Sequence, residues 1–148
     1  MGAELRIVRE FDAPRDVVWA AWTDPRAIVR WLGPIEWPAA EVEADVRPGG
    51  AWRAGLRAAG GTEMLWQSGR YHTVEPPERL VFSFRWEGTN HPDGPGVDTL
   101  VTVVLRETAD GRTRMEFTQT GLKSDASAEG HTYGWGSTFG RLDIYLGR

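Results

Sequence analysis

A chain of 148 residues with 41% hydrophobic and 26% charged side chains has the size and composition of one globular domain spanning 1–148, able to bury a core without disulfide or metal staples. Its 17 basic and 21 acidic residues leave a net charge of −4 without a single-sign run, which argues against nucleic acid as a partner. Cysteine is absent, so disulfide, thiolate and cysteine-metal chemistry are excluded; with no apolar signal core at the N-terminus and no long apolar run, a cytoplasmic location without membrane insertion is expected.

Leu5 to Phe11 alternates as a first strand. Ala13-Pro14 opens a helix with proline in its first turn, and Val18, Ala21 and Trp22 follow helical spacing. Asp24-Pro25 reads as the N-cap and first residue of a second short helix over 25–32; Ile28, Trp31 and Leu32 form its buried face and Gly33-Pro34 stops it. Trp19, Trp22 and Trp31 are read as packing residues of this helix pair. From Glu36 the period becomes two. Glu41 to Val46 alternates, Pro48-Gly49-Gly50 turns, and Trp52, Ala54 and Leu56 share one face of the next strand.

Gly60-Gly61 turns the chain into a long strand over 62–74, in which Gly69 marks a candidate bulge. Met64, Trp66, Ser68 and Arg70 occupy one face of this strand and Leu65, Gln67, Gly69 and Tyr71 the other. Both sets contain apolar groups, so either can face inward. After Pro76-Pro77, the alternation Leu80, Phe82, Phe84, Trp86 predicts a strand whose other face, Val81, Ser83 and Arg85, points outward. Residues 87–96 form a polar, glycine-rich loop and a candidate flap. Strands near 98–107 and 112–120 are joined by the hairpin signal Asp110-Gly111, and Ser124 caps a final helix. The order β-αα-ββββββ-α predicts an α+β fold, a seven-stranded antiparallel sheet with two short N-terminal helices and a long C-terminal helix enclosing a cavity.

That last helix carries the candidate site. His131, Trp135, Phe139, Leu142 and Leu146 fall within an arc of roughly 80°. Gly134, Gly136 and Gly140 interrupt it, each at a cost of about 1 kcal/mol relative to alanine, which calls for close backbone approach or room for a ligand. Trp66, Trp86, Trp135 and Phe139, with Phe84 in phase beside Trp86, are the expected aromatic wall. His131 is placed near the entrance, and Arg70, if buried, would anchor a carboxylate or phenolate. No catalytic residue is assigned, although His131 or Tyr133 would serve as acid or base in an enzyme. His91, Asp93 and Asp98 lack a further histidine at ligand spacing, so neither a metal site nor a cofactor is expected. The glycines around Trp135 do not make a dinucleotide motif, because they lie within a helix.

Several blocks resemble a known family. They are Phe11-Asp12-Ala13-Pro14, Val18-Trp19, Ala21-Trp22-Thr23-Asp24-Pro25 and Trp31-Leu32-Gly33-Pro34, then Arg47 to Arg53, Gly69-Arg70-Tyr71, Pro76 to Phe82 and Gly134-Trp135-Gly136. Together they resemble the bacterial homologues of the activator of heat-shock-protein-90 ATPase, in the START/birch-allergen-like (SRPBCC) superfamily. The resemblance implies a helix-grip fold and the binding of a small hydrophobic or aromatic molecule. It leaves open a cyclase or aldol-type enzyme in the same cavity, a chaperone-contacting stress-response module, and a homodimer.

Overall fold

The computed structural model describes residues 2–88, 91–92 and 96–147. Among them the chain forms β1 (Ala3–Phe11), α1 (Arg15–Thr23), α2 (Pro25–Trp31), β2 (Ala39–Ala44), β3 (Ala51–Leu56), β4 (Leu65–Glu75), β5 (Arg79–Trp86), β6 (Thr99–Glu107), β7 (Thr113–Leu122) and α3 (Asp125–Tyr145). The strands make one antiparallel sheet in the order β1-β7-β6-β5-β4-β3-β2. This is the expected helix-grip arrangement. No helix among the described residues is long and apolar enough to cross a membrane.

Alternation decides which face of the sheet the helices cover. Met115, Phe117 and Gln119 of β7, Val101, Val103 and Leu105 of β6, and Leu80, Phe82, Phe84 and Trp86 of β5 are all buried on the inner face. On that face α3 lays Trp135 and Phe139 over Phe117, with ring centroids 4.7 and 5.1 Å away. Trp22 of α1 meets Trp31, Phe82, Phe117 and Phe139 at centroid distances between 4.8 and 6.4 Å, so the N-terminal helices share one aromatic core with α3.

The helix ends follow local chemistry. Asp24 accepts from the backbone N–H of Arg26, and Pro25 takes the first position of α2, where its missing N–H costs nothing. Ser124 caps α3 by accepting from the N–H of Ser127. The C-terminal carbonyls of α2 find a partner in α3: the Arg141 guanidinium donates to the carbonyls of Arg30, Trp31, Leu32 and Gly33 at 2.7–3.2 Å.

Three local expectations are corrected, and a fourth holds with a qualification. Pro14 is the extended N-cap residue of α1, one position before the first turn, because its ψ of 155° is not helical. β4 starts at Leu65, since residues 62–64 make no ladder bonds opposite β3. Gly69 is not a bulge; the register shift of β4 against β5 lies between Tyr71 and Thr73. A Cβ on Gly69 would collide with the Ser83 carbonyl and the Trp52 indole nitrogen, so the glycine serves close strand approach. Val81 faces away from the helices yet is 6% exposed. It sits on the middle strand between Thr73 and Thr102, whose side chains flank it on the outer face.

Candidate functional site: a pocket between the long helix and the sheet

Between α3 and the sheet a pocket of about 690 Å³ opens. Its floor is buried and largely apolar: Leu56, Leu65, Gln67, Phe84, Trp86 and Trp135. The rim carries exposed groups from the segment after α2, from the loop before β4 and from α3, among them Glu36, Glu63 and Tyr133. The volume falls within the usual range for small-molecule sites.

β4 is inward through Leu65, Gln67 and Tyr71, which resolves the parity left open by its sequence. The register explains the floor: Gln67 lies opposite Ala54 of β3 on one side and Trp86 of β5 on the other, with all three buried on the inner face.

The polar groups around the pocket are largely committed to one another. Trp86 donates its indole N–H to His131 Nε2 at 3.0 Å, and His131 Nδ1 lies 2.8 Å from the Ser127 carbonyl. Trp135 donates to Gln119 Oε1 at 2.9 Å, Gln119 donates to Thr99 Oγ1 at 2.9 Å, and Thr99 donates to the Phe84 carbonyl at 2.7 Å. This relay lies wholly within the core and fixes the Trp135 ring in one orientation. At the rim the Tyr133 hydroxyl donates to Glu36 Oε2 at 2.6 Å. That bond holds the Glu36 carboxyl below the ordinary carboxylate range and pushes the Tyr133 phenol up. His91 stacks flat on Trp86, with ring centroids 3.7 Å apart and an interplanar angle of 6°, and so extends the aromatic wall.

Of the residues singled out in the sequence, Phe84, Trp86, His131 and Trp135 converge on the pocket. Three do not. Phe139 is fully buried beneath it, against Phe117 and Trp22, because one further turn carries α3 onto the solid part of the core. Trp66 and Arg70 lie on the opposite face of β4, as period two requires once Leu65 and Gln67 face in. There the Arg53 guanidinium sits 3.9 Å from the Trp66 ring centroid, and Arg70 donates to the Gly49 carbonyl at 3.0 Å. The helical glycines do not serve close packing either. A Cβ on Gly134, Gly136 or Gly140 would meet nothing within 4 Å, and of these Gly134 lines the pocket. Asp98 pairs with Arg85 at 3.4 Å, and Asp93 lies outside the described residues.

Sequence reasoning missed Leu65, Gln67, Leu56 and the Leu32–Trp37 segment. Gln67 had a signal of a kind, a polar residue in phase with Leu65 and Tyr71, but its meaning depends on which face of β4 is buried.

The family model described as activator of Hsp90 ATPase homolog 1-like protein matches residues 12–147. Among solved structures, protein CV1439 from Chromobacterium violaceum is 26% identical, with 98% of this chain and 97% of that chain covered and a TM-score of 0.81. A protein from Arthrobacter aurescens is 30% identical, with 97% and 85% covered and a TM-score of 0.82. The AHSA1 protein from Silicibacter pomeroyi reaches a TM-score of 0.82 with 97% of each chain covered; at 24% identity it speaks for the fold alone. No curated protein matches significantly.

Proposed function

The chain belongs to the family of activator of Hsp90 ATPase homolog 1-like proteins, and from that premise we propose that it binds a small hydrophobic or aromatic molecule in the pocket between α3 and the sheet, without transforming it. The observation that carries this reading is the pocket of about 690 Å³ with Phe84, Trp86 and Trp135 in its wall. Flat, rigid rings at fixed angles suit a planar apolar guest, which gains dispersion and loses hydrated area on entry. A cyclase or aldol reaction would need an acid or base directed at the guest. His131 is held between Trp86 and Ser127, and the Tyr133 hydroxyl is engaged by Glu36, which supports binding over catalysis. A cytoplasmic location belongs to the same reading.

Titration of the chain with naphthalene, indole and quinoline tests it, followed by calorimetry and tryptophan emission. Saturable binding with a change in emission is expected, and Trp135→Ala should weaken it by about tenfold or more while Trp19→Phe leaves it unchanged. Absence of saturable binding by all three compounds would sink the proposal. The family description favours a second reading, contact with a chaperone ATPase, and a rise in Hsp90 ATPase turnover on adding the chain is the measurement for it.

A further inference from the structure

We infer that the pocket selects an aromatic guest without negative charge, one that presents an amide-like edge, a donor beside an acceptor, to the side chain of Gln67. The inference rests on the pocket being a small-molecule site, and three observations narrow the guest.

The first is the state of Gln67. It is 4% exposed, lines the pocket floor, and its carboxamide makes no hydrogen bond to the described residues. Facing the pocket, the carboxamide offers both N–H donors and a carbonyl acceptor to whatever enters. The second is what surrounds it. Trp86, His131, Trp135 and Tyr133 are already bonded within the protein, as are Ser127 and Thr138, so among the described buried residues of the lining it is Gln67 whose polar side chain is left for a guest. The third is charge. Among the described residues no lysine or arginine lines the pocket, and its charged side chains are Glu36 and Glu63. Arg70, the residue that would have anchored a carboxylate, is on the far face of the sheet.

An entering carboxylate would shed its water against an apolar floor, with no cation to meet it and two carboxylates at the rim. It could accept from the Gln67 N–H but would set its remaining oxygen against the Gln67 carbonyl. A primary amide or lactam of the same shape satisfies both ends of Gln67 at once.

Three probes of one shape separate the possibilities: naphthalene, naphthalene-2-carboxamide and naphthalene-2-carboxylate, titrated calorimetrically into the whole chain. The carboxamide should bind about tenfold or more tightly than the carboxylate, and more tightly than naphthalene. In Gln67→Met, with folding checked by circular dichroism, the carboxamide should lose its advantage over naphthalene, the two affinities being compared within that variant. A carboxylate that binds as well as the carboxamide in the unaltered chain overturns the inference, whether or not the variant folds. So does a carboxamide advantage that survives in Gln67→Met. In both cases naphthalene still binds and the pocket reading stands. Failure of all three probes to bind removes the pocket reading, and this inference with it.

Discussion

The Nε2 atom of His131 accepts the indole N–H of Trp86 at 3.0 Å, tying the long helix to the middle strand beside the pocket. An indole nitrogen only donates, so Nε2 carries no proton, and Nδ1–H donates to the Ser127 carbonyl at 2.8 Å. The ring is therefore held as the Nδ1–H tautomer. Long-range ¹H–¹⁵N spectra should show a protonated Nδ1 and a bare Nε2; the opposite pattern would break the assignment. His131→Phe would leave the buried Trp86 N–H unmatched, at a cost of about 1–3 kcal/mol in urea unfolding.

The glycines of α3 provide a second check. A methyl group at Gly136 or Gly140 meets nothing within 4 Å, and neither residue lines the pocket. Gly136→Ala and Gly140→Ala should each raise stability by about 0.5–1 kcal/mol and leave naphthalene affinity unchanged. Gly134→Ala should stabilise the helix similarly but intrude on the pocket it lines, weakening naphthalene binding severalfold. Loss of stability at Gly136 would show that something packs against this face of α3.

Alkaline pH should expose the burial of Tyr71. Burial pushes its phenol well above the ordinary value. In the unfolded chain the same group ionises near pH 10, as tyrosines ordinarily do. The native state thus keeps a proton that the unfolded state gives up, and stability present below about pH 10 is lost progressively above it. Unfolding midpoints taken from pH 8.5 to 11 should fall more steeply for the unaltered chain than for Tyr71→Phe. Parallel curves would refute the linkage, since every other titrating group is common to both proteins.

Arg141 should matter beyond its charge. Its guanidinium reaches the carbonyls of Arg30 and Trp31 at the end of α2 and of Leu32 and Gly33 at the start of the segment that borders the pocket. Arg141→Met should cost on the order of 2–3 kcal/mol and speed amide hydrogen exchange over residues 30–37. Arg141→Lys should recover less than half of that stability, because a compact ammonium cannot span four carbonyls. Full recovery by lysine would mean that charge alone is at work.

Period and punctuation determined most of the architecture. Strict alternation through Leu80–Trp86 already states its inner face, because a slip of one residue would bury Arg85 and expose Phe82. Asp24-Pro25 and Ser124 announce helix starts through their own side chains, a property of two or three consecutive residues. The stripe His131, Trp135, Phe139 is likewise legible from helical phase. Phase says which way a side chain points and nothing about what stands opposite, and so Trp135 reaches the pocket while Phe139, one turn on, meets Phe117 and solid core. The same limit governs β4, where both faces carry apolar groups: only pairing with β3 and β5 turns Gln67 inward and sends Trp66 and Arg70 out. The Trp86–His131 bond and the Trp135–Gln119–Thr99 relay join residues 16 to 45 positions apart, a proximity that exists only once the sheet has closed under the helix.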